Sequence, residues 1–312
     1  MSDMLTLGID TSNYATSLAV YDSAGGVVCD KKRFLPVKAG QLGLRQSDAL
    51  FHHTAALPEL LTELSKEADF SRIAAVGVSE KPRPEPGSYM PCFLAGVNAA
   101  TAFALSRGLP LVRTTHQQGH AAAALFAAGK PELLEQPVLL FHISGGTTDL
   151  LLCDAVRSIT LLGTSSDLYA GQAVDRLGVR LGYAFPAGAF VSQAAAACAE
   201  PVKGKAWVRE LSCSLSGLEN QCNALLEKGA SPEYVCKFCL CCVGETVVRM
   251  TLNAQKRYPA LPVVCAGGVM SSDIIRTYVQ ARIPNVFFVP GRFSSDNAIG
   301  VALLAAREVQ HG

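Results

Sequence analysis

Residues 137–163, "PVLLFHISGGTTDLLLCDAVRSITLLG", carry the reading on which the fold turns. Apolar runs flank the segment Ser144 to Thr148, and the pattern predicts a strand, a tight turn, a second strand and a further strand. Two consecutive glycines let the backbone take positive φ and come close to a ligand. Successive N–H groups in such a turn form an anion nest suited to phosphate. Ile143 and Ser144 lead into this nest, Gly145 and Gly146 form it, and Thr147 and Thr148 add hydroxyl donors. Asp149 follows, where it could engage a phosphate-bound cation through water. Taken alone, the stretch also reads as an ordinary glycine-containing hairpin.

Two other turns repeat the theme. In "LTLGIDTSNYATSLAVYD", residues 5–22, one strand ends at Asp10 and a second runs from Thr16 to Tyr21, so Asp10, Thr11 and Ser12 open another hydroxyl-rich turn. In "CAGGVMSSD", residues 265–273, a strand passes through Gly267 and Gly268 toward a helix N-terminus at Ser272, where a nucleotide can lie close to the backbone. Between these turns the chain alternates. "FHHTAALPELLTELSKEA" has helical spacing, and "IAAVGVS" is a buried strand followed by the Pro- and Gly-rich loop "EKPRPEPGS". A small-residue helix at 92–107 precedes the strand "LPLVRTT". The plan then restarts at residue 137 and ends with strands "PVVCAGGV" and "NVFFVP" and a helix "DNAIGVALLAAREVQ". The expectation is two α/β lobes, 1–113 and 114–312, with the last helix free to cross back to the first. Two hairpin turns gripping phosphates and a Gly-Gly turn over the nucleoside make a duplicated α/β fold of the actin, hexokinase and heat-shock ATPase (ASKHA) type, with ATP as ligand.

Bulk properties fit such a fold. With 49% hydrophobic and 17% charged residues in 312, the chain can bury extensive surface. A net charge of +1 excludes a dedicated basic nucleic-acid binder, and Lys31, Lys32, Arg33, Lys203 and Lys205 read as solvated surface. No charged leader or apolar stretch of roughly 20 residues is present, so a cytoplasmic protein without membrane contact is expected. Of eleven cysteines, Cys236, Cys239, Cys241 and Cys242 crowd into "CKFCLCC". No second Cys pair completes a ligand set, and the segment reads as a helix capped by Ser231 with buried thiols.

"LVRTTHQQGHAAAALF", residues 111–126, places His116 and His120 four apart on a helix, a spacing that suits two imidazoles on one metal. Alone, the pair also reads as polar residues at the mouth of a helix. Asp296 in "FSSDNAIG" offers a carboxylate as third ligand, and such a set suits iron or zinc. The glutamate of an H-E-x-x-H protease motif is missing, and no Ser–His–Asp or Cys–His constellation supplies a catalytic nucleophile.

"LGIDTS", the paired histidines, "SGG", "AGQAVDRLGVRLGYAFPAG", "SCSLSGLEN", "AGGV" and "SSDNA" follow one another in the order of a known family. The chain resembles the TsaD/Gcp family of tRNA threonylcarbamoyladenosine transferases, long labelled glycoproteases, over nearly its whole length. The resemblance implies one divalent metal held by His116, His120 and Asp296. It implies ATP or a carbamoyl-adenylate in contact with the Ile143–Thr147 turn, Asp175, Gly188 and the position of Ser272. It further implies transfer of a threonylcarbamoyl group to the N6 amine of a tRNA adenosine beside the anticodon, with TsaB-like and TsaE-like partners or a homodimer. The sequence departs from the family at Thr147, where a histidine is usual, at Ser272 for an asparagine and at Glu219 for a lysine. Gln46 stands near the place of an acid, and "KPRPEPGSYMP" replaces a glycine loop. These departures leave two alternatives beside the family reaction: the same chemistry on a different acceptor, or a non-catalytic ATP-binding scaffold.

Overall fold

A computed structural model describes residues 4–36, 44–154, 158–293 and 298–311. They fall into two compact units, Met1–Phe126 with Asp296–Gly312, and Ala127–Ser295.

The first unit is built on a five-stranded sheet of order β3-β2-β1-β4-β5. Its strands are β1 (Leu5–Thr11), β2 (Ala15–Asp22), β3 (Gly26–Phe34), β4 (Ile73–Lys81) and β5 (Leu111–Thr115). The first three run antiparallel, while β4 pairs in parallel with both β1 and β5. All seven residues of β1 are buried, although Leu5, Leu7 and Ile9 alternate with Thr6, Gly8 and Asp10, because helices cover both faces of the strand. Helices α1 (Gln46–Leu64) and α2 (Phe93–Arg107) pack on one side, and α9 (Ile299–His311) packs against β1 and β4. Glycines allow this last approach. A Cβ at Gly8 would meet the Ala298 carbonyl and Ala302, and one at Gly77 would meet the Val301 carbonyl. The Thr6 hydroxyl donates to the Ala302 carbonyl at 2.9 Å and ties α9 to the strand.

The division of the chain differs from the expected 113/114 boundary. Helix α3 (His116–Ala127) lies against α9, with the missing Cβ of Gly300 facing the Gly119 carbonyl and that of Gly119 facing Val301. This helix-to-helix contact keeps the histidine pair with the first unit. Strand β3 is not predicted by the sequence reading, because its edge position breaks the apolar alternation. Its Lys31 and Arg33 pair with Glu67, Glu59 and Glu63 of the α1 segment, so the basic cluster is locally neutralised.

The second unit repeats the plan in the sheet β12-β11-β6-β7-β8. Here β6 (Val138–Ile143), β7 (Thr148–Asp154) and β8 (Ser158–Thr164) are antiparallel, and β11 (Val263–Ala266) pairs in parallel with β6 and β12 (Val286–Phe288). Strand order and sense match the first sheet, so the duplication read from the two hairpins is present as topology. A small hairpin of β9 (Val208–Arg209) and β10 (Ser212–Cys213) packs beside β8 and α7. Helices α4 (Ala170–Arg180), α5 (Gly188–Ala197), α6 (Ser216–Glu227), α7 (Pro232–Gln255) and α8 (Asp273–Gln280) complete the unit. Ser231 caps α7 by accepting from the Tyr234 N–H at 3.2 Å, and the four clustered cysteines lie buried along that helix. All eleven cysteines are free thiols. Burial pushes Cys236 and Cys242 up to about 12, leaving protonated, inert sulfurs. Among the described residues, no helix is long and apolar enough to cross a membrane.

Candidate functional site

The glycine turn of the second unit is closed by its own polar groups. The Ser144 N–H donates to the Thr147 carbonyl at 2.9 Å, and the two hydroxyls of Ser144 and Thr147 meet at 2.8 Å. The Gly146 N–H donates to Ser144 Oγ at 3.3 Å. A Cβ at Gly145 or Gly146 would meet nothing within 4 Å, so the outer surface of the turn is open. From beneath, the start of α4 is docked onto it. The Ala170 N–H donates to Thr148 Oγ1 at 2.9 Å and the Gly171 N–H to the Ser144 carbonyl at 3.2 Å. A side chain at Gly171 would collide with that carbonyl, which gives this glycine a purpose the sequence reading missed. Asp149 is only 6% exposed and accepts from the Thr164 hydroxyl at 2.7 Å.

Next to the turn lies a cavity of about 660 Å³ that brings together Gly145, Asp175, Gly188, Gly268 and Ser272. Its other walls include Val174, Pro186, Leu240, Val269 and Ile274, an apolar lining suited to a flat heterocycle with a few polar anchors. Asp175 Oδ1 accepts from the Ala187 N–H at 2.7 Å and so fixes the corner from which α5 starts. The missing Cβ of Gly188, the first residue of α5, faces open space. The Ser272 residue is 8% exposed, and its hydroxyl has no hydrogen-bond partner among the described residues. A buried hydroxyl without a partner costs stability unless a ligand or water completes it. Other predicted residues shape the wall from behind. Gly267 takes φ +104° with its Cβ position against the Ile143 backbone, while Ile143 itself is buried in the core.

In the first unit, β1 delivers Asp10 to the N-terminus of α3. The carboxylate is fully buried, and His116 Nδ1 lies 3.0 and 3.1 Å from its two oxygens. A carboxylate can only accept, so Nδ1 carries the proton, and in the neutral imidazole Nε2 is then the ring atom that faces a metal. That Nε2 lies 3.0 Å from His120 Nε2. The sequence reading placed Asp10 at the phosphates; its carboxylate is engaged instead in orienting His116. No periodicity links residues 106 positions apart, so the signal was absent from the chain. Carboxylate–imidazole pairing of this kind holds metal-ligating histidines in one tautomer, and two convergent Nε2 atoms suit a divalent ion. Among the described residues no group of three or more His, Cys, Asp or Glu gathers around one point, and Asp296 lies outside the described residues.

The turn after β1 is tightly held. The Thr11 hydroxyl donates to the Cys92 carbonyl at 3.1 Å and accepts from the Gly96 N–H at 3.2 Å, which directs it into the protein rather than toward a ligand. The Ser12 carbonyl lies 2.8 Å from Nε2 of His53, a fully buried residue that sequence reasoning left inside a generic helix. Asp167 was also missed. It accepts from the hydroxyls of Ser214 and Ser216, both at 2.6 Å, and from the N–H groups of Leu168 and Leu215. Burial works to raise its pKa, yet these donors hold the carboxyl well below the usual range. It thereby anchors "SCSLSGLEN" to the start of α4. Glu219, the charge-reversed position in that segment, pairs with Arg176 at 2.8 Å.

The sequence pattern of TsaD, tRNA N6-adenosine threonylcarbamoyltransferase, matches residues 41–303. The protein of that name from Streptococcus suis (strain 05ZYH33) is 30% identical over 329 residues, covering 99% of this chain and 93% of its own. The one from Anoxybacillus flavithermus (strain DSM 21510 / WK1) is 29% identical over 334 residues, with the same coverage of 99% and 93%. Among solved structures, component A of the Acidaminococcus fermentans (R)-2-hydroxyglutaryl-CoA dehydratase has a TM-score of 0.60 at 14% identity, over 98% of this chain and 99% of that one. A ROK family glucokinase from Streptomyces griseus has a TM-score of 0.52 at 14% identity, over 97% and 99%. The structural likenesses establish the fold as the actin/hexokinase-like ATPase type. With related sequence along almost all of its length, the chain belongs to the tRNA N6-adenosine threonylcarbamoyltransferase family.

Proposed function

We propose that the protein transfers a threonylcarbamoyl group from its adenylate to the N6 amine of an adenosine beside a tRNA anticodon. The observation that carries this reading is the second unit's cavity, where the unpartnered Ser272 hydroxyl and the open faces of Gly145 and Gly188 meet an apolar wall sized for a nucleoside. The base lies against Val269 and Ile274, Ser272 supplies a hydrogen bond to the nucleoside, and Asp175 holds the corner at Ala187. The amide groups at Gly145 and Gly146 receive phosphate oxygens, since no side chain blocks the approach.

The reaction needs no nucleophilic side chain. The N6 nitrogen attacks the carbamoyl carbon, a C–N bond forms, the C–O bond to the phosphate breaks, and AMP leaves as the amine proton passes to solvent. His116 and His120 would hold one divalent ion, iron or zinc, with Asp296 as the expected third ligand. Such an ion, when bound, supplies Lewis-acid stabilisation of the negative charge that develops on the carbonyl and phosphate oxygens. The chain's own part is to keep His116 in one tautomer through Asp10 and to exclude side chains from the phosphate turn. The family's acceptor, tRNA, reaches this chain with partner proteins of the TsaB and TsaE kind or a second copy.

A second reading, the same transfer to another acceptor, is favoured by two specific contacts. Thr147 turns its hydroxyl onto Ser144, and Glu219 is neutralised by Arg176, so neither position offers an outward-directed cation or imidazole. Purified protein, supplied with threonylcarbamoyl-adenylate, tRNA and its partners, should release AMP in step with the appearance of the modified nucleoside. AMP release without modified tRNA favours the second reading, and no AMP release refutes both.

A further inference from the structure

A second cavity of the second unit, about 580 Å³, opens between residues 201–203 and the later turns of α7 and α8. Three cations line it, Lys203, Arg249 and Arg282, against a single acid, Glu245. That acid is engaged inside the protein. Glu245 is 8% exposed and accepts from Arg249 Nε at 2.8 Å and from the Tyr278 hydroxyl at 2.9 Å. The Tyr278 oxygen accepts in turn from the Gly204 N–H at 3.2 Å, which ties the segment bearing Lys203 to the two helices. Arg282 is held as firmly. Its Nη1 donates to the Tyr278 carbonyl at 2.7 Å, and its Cζ lies 3.6 Å from the centre of the Tyr278 ring. Each guanidinium is thus anchored through one nitrogen, and among the described residues its other two have no acceptor.

Elsewhere basic side chains are matched by acids: Arg33 with Glu59, Arg113 with Glu80, Arg180 with Glu227. Here the balance is three to one, so the wall carries a local positive excess that the chain's net charge of +1 conceals. Two fixed guanidiniums beside a flexible ammonium form a donor set for phosphate. The fork of an arginine engages two oxygens at once, and lysine adds a point charge. The rest of the wall includes Val248 and the exposed Leu252, against which a sugar can lie. Position favours a nucleic-acid strand. Ile274 of α8 lines the nucleoside cavity and Tyr278, one turn further on the same helix face, lines this one, so about 6 Å of helix rise separates them. We propose that Lys203, Arg249 and Arg282 form a docking surface for backbone phosphates of the acceptor RNA. The inference rests on the reading that tRNA is the acceptor and adds where this chain grips it. The surface reads no base, so it gives affinity and register rather than sequence choice.

Fluorescence anisotropy of labelled tRNA, in salt from about 50 to 200 mM, compares three forms of the full chain. They are wild type, the double variant Lys203→Gln/Arg282→Gln, and a control, Arg33→Gln/Arg180→Gln, that removes two charges from ion pairs. The expected result is tRNA binding weaker by about tenfold in Lys203→Gln/Arg282→Gln, with a salt slope smaller by about 1–2. The control stays near wild type. Wild-type affinity in a folded Lys203→Gln/Arg282→Gln overturns the proposal, and so does an equal loss in the control, which would make the effect one of net charge. Polyglutamate displacing tRNA from wild type at matched charge concentration would assign the surface to an acidic protein segment and overturn it as well. Wild type that binds no tRNA even at the lowest salt removes the acceptor reading itself, a result distinct from variants that bind as wild type does. Should the double variant fail to fold by circular dichroism, Lys203→Glu on its exposed segment takes its place with the same outcomes.

Discussion

At Gly145 any side chain would project into the open space of the second unit's cavity, where the proposal places phosphate against bare backbone. Gly145→Val should therefore weaken ATP binding by at least about tenfold, or roughly 1.4 kcal/mol, while leaving the unfolding temperature nearly unchanged; calorimetric titration and thermal scans on the same sample read both. His53 gives a pH prediction. Burial lowers its pKa from the ordinary 6.5, with the Ser12 carbonyl, Asp10 and His52 as smaller influences. The folded protein then keeps His53 neutral while the unfolded chain takes up a proton. Stability from this residue is complete above pH 6.5 and declines as pH falls from there toward the lower folded value. Denaturant unfolding at about pH 7.5 and about pH 5.5 should show a smaller acid-side loss in His53→Gln than in wild type. The open turn at Gly145 was legible because a glycine pair between two apolar runs marks a hairpin. His53 was not, because a lone histidine in a helical pattern carries no mark of what its two nitrogens will meet.

At the scale of elements, β1 and α3 form the candidate metal centre, and α9 closes the first unit over its sheet. Removing the carboxylate with Asp10→Asn leaves His116 free to change tautomer, and metal affinity should drop by about 10–100-fold. His116→Ala should abolish occupancy, and metal analysis of the three purified proteins checks the order; equal content in wild type and His116→Ala would refute the ligand assignment. The α9 contact makes a separate prediction. Gly77→Val would drive a methine carbon and two methyls into the Val301 carbonyl, costing about 1–3 kcal/mol in a denaturant titration. The helical spacing of His116 and His120 was visible in the chain, but α3's place was not. Its small-residue face, Gly119 against Gly300, commits it to α9 through a contact between segments far apart in sequence. Strand β3 escaped for a related reason, since Lys31 and Arg33 look like loop residues until Glu63 of α1 and Glu67 just beyond its end supply acidic partners.

For the whole molecule, two sheets of the same strand order and sense explain why one sequence carries two polar hairpin turns. Hairpins are local and can be read from alternation; which strand comes next in a sheet depends on parallel crossovers that leave no adjacent signal. Membership of a transferase family replaces the protease label, in keeping with a chain that has no protease constellation. The thiols of α7 lie buried in the second unit's core, where burial keeps Cys236 protonated. The account's central claim is that this chain's own residues complete threonylcarbamoyl transfer to tRNA adenosine. Its most direct test is mass spectrometry of tRNA nucleosides from cells that lack their ordinary enzyme and express this chain instead. Restoration of N6-threonylcarbamoyladenosine by wild type, and its loss with His116→Ala, is the predicted result. A folded, ATP-binding protein that leaves the adenosine unmodified would contradict it.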